Sequence, residues 1–215
     1  MIQFLIDNWD PMWAAFLLTT RLALYSFTFA LLIGVVIASF RVSPIPPLQR
    51  FASAYVSIFR NTPLLVIFFL FFFGFPKLGI LFQPFPSAVL VLSLYTGAYL
   101  GEAIRSGINA VAVGQAEAAR AIGLGFTQLL GLVVLPQALR TVVAPIGNLF
   151  IANAKNTSIA LSIGVTELTS VSRELGQRQA QIVAALLGAG LLYVISLLLA
   201  GAIFGWIEQR VAIKR

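Results

Sequence analysis

The sequence contains no cysteine and no histidine. Disulfides, thiolate nucleophiles and histidine metal sites are therefore excluded, and no metal site is expected. Charge is also scarce: Asp, Glu, Lys and Arg make up 10% of the 215 residues, against about 25% in a soluble domain. Acidic groups are the scarcer kind, 7 against 14 basic ones. With no His or Cys and with its acids scattered, the chain offers no acid/base or nucleophilic constellation, so it is not expected to be an enzyme. No Gly is followed by Lys anywhere, which excludes the GxxxxGK[ST] phosphate loop and any ATPase of the chain's own. The opening residues, MIQFLIDNWDPM, lack the basic n-region of a cleaved signal and are expected in the mature protein.

What the chain has instead is oil. Hydrophobic residues make up 60% of it, more than one globular core can hide. Residues 22–40, LALYSFTFALLIGVVIASF, carry no charge and no proline, and about 20 such residues cross a bilayer as a helix. The reading is an all-α integral membrane protein with five spans, near 20–40, 54–75, 86–105, 140–163 and 183–205. Residues 1–19 are expected to be an interfacial segment outside the membrane and 206–215 a basic tail. One set of connections holds Arg41, Arg50, Arg105, Arg120, Arg140, Arg210, Lys214 and Arg215. The other holds only Lys77, Arg173 and Arg178, beside Asp7, Asp10, Glu167 and Glu174. The basic set belongs in the cytoplasm, so the N-terminus is expected outside and the C-terminus inside. The excess positive charge then serves topology, with no nucleic acid as partner. Trp9, Trp13 and Trp206 fall near span ends, where indole rings prefer the interface with membrane lipid. Arg21 can snorkel to the headgroups. Gly97–Gly101 and Gly201–Gly205 have the spacing of close helix packing.

Two spans carry polar interruptions. Pro63 in the second removes a backbone donor, which predicts a kink near Arg60–Thr62. The fourth carries the run NAKNTS, residues 153–158, which must face protein or water. Ionisable residues inside spans are functional candidates. Arg60 and Glu102 are expected at one level as a structural pair. Lys155, Asn156, Thr157 and Ser158, with Asn61 and Thr62 facing them, are the candidate substrate contacts, since an ammonium with amides and hydroxyls suits a carboxylate. Helix–helix hydrogen bonding is the plainer role for the same residues.

Residues 106–139 separate spans three and four by far more chain than a connection needs. Within them AEAARAIGL reads as a short amphipathic helix ended by Gly123 and Gly125. FTQLLGLVVLPQALR follows, with Pro136 expected to break it before the fourth span. Such a helix would lie on the inner leaflet or dock on a protein.

The pattern Glu117-Ala118-Ala119, Gly123, Val133-x-Leu135-Pro136 resembles the EAA motif of permease subunits of bacterial ABC importers. The blocks FRNTPLLV (59–66), LYTGAYLGEAIRSGI (94–108), GQAEAARAIGL (114–124), VLPQAL (134–139) and KNTSIALSIGVTEL (155–168) are similar to the histidine, glutamine, glutamate and arginine permeases of that superfamily. The resemblance implies the type I permease fold in the bacterial cytoplasmic membrane, dimerised around a central pathway. It implies that Glu117, Ala118, Ala119, Arg120, Gly123, Leu135 and Pro136 belong to a coupling helix. That helix would dock on a separate ATP-binding subunit dimer, which uses ATP and Mg. An extracytoplasmic amino-acid-binding protein is the further implied partner, and no cofactor is implied for this chain itself. Two positions depart from the family pattern. Leu149 stands where many members have Glu, and Ile67 where many have Gln. The departures favour a second, different permease subunit, a heterodimer, and disfavour a cationic substrate. Glutamate is the first expectation and glutamine the second. The rivals are a permease for another small solute and a gradient-driven carrier. Carriers of that kind usually show internal repeats, and none is visible here.

Overall fold

The computed structural model describes residues 2–211. Lys214 and Arg215, assigned above to the cytoplasmic tail, lie outside the described residues. Among the described residues every regular element is helical. A short α1 (Ile2–Asp7) leads into α2 (Trp9–Val42). The second span is two helices, α3 (Pro46–Asn61) and α4 (Leu64–Phe69), the latter extended by a π turn over Leu70–Gly74 and a 3-10 turn over Phe75–Leu78. Then come α5 (Pro84–Asn109), α6 (Val113–Ala121), α7 (Phe126–Leu129), a π turn over Leu130–Val134, and α8 (Leu135–Asn156). A 3-10 segment (Thr157–Ile163), α9 (Leu168–Arg178) and α10 (Ile182–Val211) complete the chain. Four helical stretches are long and apolar enough to span a membrane, and the bent α3–α4 pair makes five.

Several boundaries differ from the sequence reading. The helix of the first span starts at Trp9, so residues 9–19 of the expected interfacial segment continue the same helix. WAAFLL is apolar enough to continue the helix, and the charge of Asp10 sits in its first turn, where the helix dipole accepts it. Pro63 does more than kink its span: α3 and α4 meet at 106°. Thr62 and Pro63 are both extended (ψ 129° and 132°), so the helix stops and restarts. Pro136 does not break its segment. The π turn over Leu130–Val134 runs directly into α8 with Pro136 in its first turn, where a missing N–H costs nothing. The last helix continues to Val211, through the first part of the expected tail. α9 is an element the hydropathy pattern did not indicate.

Packing between spans rests on small residues, because in lipid the hydrophobic effect does not press helices together. α2 and α5 interlock at glycines: a Cβ on Gly97 would meet Ile33 Cγ2 at 2.8 Å, and one on Gly101 would meet Ile37 Cγ2 at 2.7 Å. The Gly97–Gly101 spacing is thus used within the chain. Gly205 by contrast has nothing near its Cα hydrogens among the described residues. A polar node binds α2, α5 and α8 together. The fully buried Asn153 accepts from Thr96 Oγ1 at 2.9 Å and donates to Ser26 Oγ at 2.9 Å and to the Ala23 carbonyl at 3.2 Å.

Candidate translocation site and coupling loop

The break at Thr62–Pro63 opens a polar cavity of about 410 Å³ lined by Arg41, Ser53, Ser57, Arg60, Asn61, Tyr99 and Glu102 among others. Its chemistry comes from three helices. The end of α3 brings Arg60 and Asn61. The stripe Tyr95, Tyr99, Glu102, Ser106 runs down one face of α5 at helical spacing. The end of α2 brings Arg41. The Arg60 guanidinium lies over the Tyr99 ring, 5.2 Å from its centre, a cation–π placement. The hydroxyls of Tyr95 and Tyr99 are 3.2 Å apart. A second cavity of about 360 Å³ shares Arg60, Tyr99 and Glu102 and extends past Ser106 to Pro145, Asn148 and Leu149 of α8.

The expected Arg60–Glu102 ion pair is corrected here. Glu102 accepts from Arg105 Nη1 at 2.7 Å and lies 3.4 Å from Arg41 Nη2. Arg105 is one turn along the same helix, and Arg41 stands on the helix most closely packed against α5. Both reach the carboxylate, and Arg60 rests on Tyr99 instead. The cavity is therefore lined by two guanidinium groups, Arg41 and Arg60, and one carboxylate, which Arg105 also pairs from outside the lining.

The remaining candidates divide. Asn61 lines the polar cavity and its amide donates to Ser57 Oγ at 3.3 Å. Thr62 turns its hydroxyl back to the Ile58 carbonyl at 2.8 Å, filling a bond the break would leave open. Lys155 and Ser158 do not face Asn61. They line a separate cavity of about 320 Å³ with Thr169 and Tyr193. Asn156, the last residue of α8, is half-buried, and neither cavity reaches it. Thr157 is fully buried and donates to the Ala154 carbonyl at 2.7 Å, so it stabilises the helix end and offers nothing to a ligand. The reason is local: α8 ends at Asn156 and tightens into a 3-10 turn, which keeps Lys155 and Ser158 on one face and turns Asn156 and Thr157 away from it. Of the two departures, Leu149 lines the second cavity, whereas Ile67 is 4% exposed and packed in the core beside Leu64 and Phe68.

Arg41, Tyr99 and Glu167 were not singled out as site residues. For Tyr99 the α5 stripe was the available signal; Arg41 was read only as a topology charge. Glu167 is fully buried and caps α9, accepting from Thr169 N at 2.8 Å, Ser170 N at 2.7 Å and Tyr193 Oη at 3.0 Å. Burial pushes its carboxyl above the ordinary range, and these donors oppose the rise only in part.

The loop between α5 and α8 carries α6, which holds Glu117, Ala118, Ala119 and Arg120. Only Ala119 is buried, and Glu117 and Arg120 point outward. The helix ends on a Schellman turn. Gly123 stands at φ +85°. Its N–H donates to the Arg120 carbonyl at 2.9 Å, and that of Leu124 to Ala119 at 3.1 Å. Around α6 the large side chains of Val113 (72%) and Ile122 (79%) stand exposed, and Leu132 follows in the π turn (69%). Leu135 is exposed nearby, so the loop carries large apolar side chains that the other described residues leave uncovered.

An all-helical chain with up to five spans, a polar cavity at a broken helix and an exposed loop helix has the architecture of a membrane transport subunit. The family described as "Binding-protein-dependent transport system inner membrane component" matches residues 30–213, and the chain belongs to it. It is 37% identical to a glutamate transport system permease protein of Corynebacterium efficiens, over 94% of both chains. It is 40% identical to an L-cystine transport system permease protein of Bacillus subtilis, over 89% of this chain and 82% of the other. It is 38% identical to a probable glutamine ABC transporter permease protein of Bacillus subtilis, over 74% and 73%. Among solved structures, an amino acid ABC transporter with histidines superposes with a TM-score of 0.91 at 29% identity, covering 96% of each chain. The family resemblance read from the EAA motif and the FRNTP and KNTS blocks therefore holds, and the protein is a multi-pass membrane component.

Proposed function

We propose that this chain forms half of the pathway of an ATP-driven importer for an acidic amino acid, glutamate in the first place. The observation that carries the substrate class is the charge around the broken span. Arg41 and Arg60 line the cavity against Glu102 alone, and Arg105 also pairs that carboxylate, so the cavity has a surplus of positive charge. A substrate with two carboxylates and one ammonium complements that surplus. Leu149 on the wall of the second cavity adds no acidic contact beside Glu102, which Arg41 and Arg105 already pair. Asn61 and Tyr99 offer the neutral hydrogen bonds, and Lys155 and Ser158 form a separate polar station further along. The relative described as a glutamate permease supports the same reading.

The energy comes from a partner. α6, with Glu117 and Arg120 outward and Val113 and Ile122 exposed beside them, is the docking element for an ATP-binding subunit dimer that uses ATP and Mg. The N-terminus lies outside, where a binding protein delivers the solute, and the C-terminus lies in the cytoplasm. Leu149 leaves α8 without an acidic group on the cavity wall, and Glu102 is already paired by Arg41 and Arg105, which favours a second, different permease subunit facing it.

Uptake by the complex reconstituted in vesicles tests the reading. With the cognate binding protein present, glutamate is expected to drive ATP-dependent uptake, and excess glutamine or cystine to compete poorly. Uptake of arginine or of cystine in preference to glutamate overturns the substrate class. Uptake without ATP overturns the machine and favours a gradient-driven carrier.

A further inference from the structure

Arg60, Tyr99 and Glu102 line both polar cavities, so they stand where the two adjoin. The two charges among them are held in different ways. Glu102 is paired by Arg105 at 2.7 Å and by Arg41 at 3.4 Å. Arg60 has no carboxylate partner among the described residues. Its guanidinium carbon lies 5.2 Å from the centre of the Tyr99 ring. The two sides of that contact also differ in how firmly they are seated. Arg60 is exposed and belongs to the last turn of α3, just before the break at Thr62–Pro63. Tyr99 is half-buried on α5 between Gly97 and Gly101, the glycines that interlock α5 with α2. Thr96, on the same turn, is tied to Asn153 of α8 at 2.9 Å. The Tyr95 hydroxyl, 3.2 Å from that of Tyr99, anchors the tip of the ring. A side chain at the end of a broken helix therefore rests on a ring carried by the best-packed part of the molecule.

We propose that Tyr99 is a positioning residue: its ring holds the Arg60 guanidinium at the junction of the two cavities, where that group meets a carboxylate of the substrate. The inference rests on the reading of these cavities as part of the transport pathway. An arginine side chain has many rotamers, and ordering it at the moment of binding costs affinity. A ring that holds it beforehand removes part of that cost. A carboxylate would hold the guanidinium as well, but it would also neutralise it, which is the state of affairs at Glu102. The face of a ring attracts a cation through its quadrupole, leaving the charge uncancelled and N–H donors unspent for a bidentate partner. Tyr99 and Glu102 lie one turn apart on the same face of α5. With Glu102 already occupied, Arg60 settles on the ring. The surplus charge of the cavity is thereby kept in a fixed place instead of on a loose side chain.

Direct binding of radiolabelled glutamate to the purified complex in lipid nanodiscs, without its binding protein, tests this. Comparing Tyr99→Phe with Tyr99→Leu isolates the ring, because both lack the hydroxyl. With Arg60 present, the leucine variant is expected to bind about fivefold to thirtyfold more weakly than the phenylalanine variant, the range of cation–π contacts from partly exposed to desolvated. With Arg60→Gln added to both, the two are expected to agree within about twofold. Tyr99→Met replaces the leucine variant if that one does not assemble. Equal binding by the two variants with Arg60 present overturns the proposal. So does a difference that persists after Arg60→Gln, which would mean that the ring acts by its own packing or by touching the substrate. Binding by Arg60→Gln as tight as by the wild type, or failure of both Tyr99→Leu and Tyr99→Met to assemble, overturns it as well. Failure of the substrate class is a separate result: the wild-type complex then prefers arginine, glutamine or cystine to glutamate. The same cycle is run with the preferred amino acid, whose α-carboxylate is an equal partner for Arg60. A wild-type complex that binds none of the four overturns both readings.

Discussion

Asn153 shows how far the role of a single residue depends on its neighbours. In the sequence it opens a polar run that reads as a ligand site. In the structure all of its hydrogen-bonding partners are helix, and it ties three spans together. Asn153→Leu leaves Thr96 and Ser26 facing apolar surface. It is expected to lower stability by about 1 kcal/mol, the scale of interhelical hydrogen bonds in membranes, read as a fall in the unfolding temperature of the solubilised protein. Glu102 makes the opposite point. Its partners are Arg41 and Arg105, so exchanging charges between Arg60 and Glu102 will not restore uptake lost in either single change. The exchange Arg41→Glu with Glu102→Arg is expected to recover membrane assembly, measured as complex yield. Glu167 is the residue whose protonation the fold decides. Its folded carboxyl is raised above the unfolded value of about 4.3, so the folded state holds the proton more tightly. The stability this contributes is complete below that value and is lost as pH rises through the folded one. Glu167→Gln should flatten the pH dependence of thermal unfolding from about pH 4.3 upward; an unchanged slope would show that the carboxyl does not titrate there.

Among the elements, the end of α6 at Gly123 and the broken second span are both set by the backbone. The αL turn at Gly123 sets where α6 stops and how it presents Glu117 and Arg120. Gly123→Ala at φ +85° costs about 1–2 kcal/mol locally, and Gly123→Pro cannot adopt that angle at all. Normal insertion with lost ATP-dependent uptake is expected for the proline variant, and intact uptake would dissociate the turn from coupling. The α2–α5 seam makes a harsher demand. Gly101→Val drives a side chain into Ile37 and is expected to reduce the yield of folded protein, judged by size-exclusion profile after extraction. The hydropathy pattern located the spans because apolar runs of that length have no other solvent. It missed α9, an amphipathic helix of 11 residues whose existence depends on the Glu167 cap and on packing under α10. It also understated Pro63, since a proline in sequence announces a lost hydrogen bond but not the angle at which two helices then settle.

For the whole molecule, the apolar face around α6 and the one-sided cavity describe a part, not a complete device. Purified gently from membranes, the chain is expected to travel with an ATP-binding subunit dimer and a second, different permease. Intact mass with each component identified checks this, and two copies of this chain as the sole permease would refute the heterodimer. In that case Leu149 would face its own copy, and the Arg60 cavity would have to supply recognition from both sides.

Composition and order of residues by themselves determined that this chain lives in a membrane, spans it five times and carries the permease signature. Those facts follow from solvent preference and from contiguous motifs, which are local. Only the tertiary structure decided which polar residues meet. A helix places residues around a cylinder, and the neighbour that reaches each face comes from elsewhere in the chain. Arg41 therefore took the place expected of Arg60, Thr157 turned inward, and Lys155 parted from Asn61.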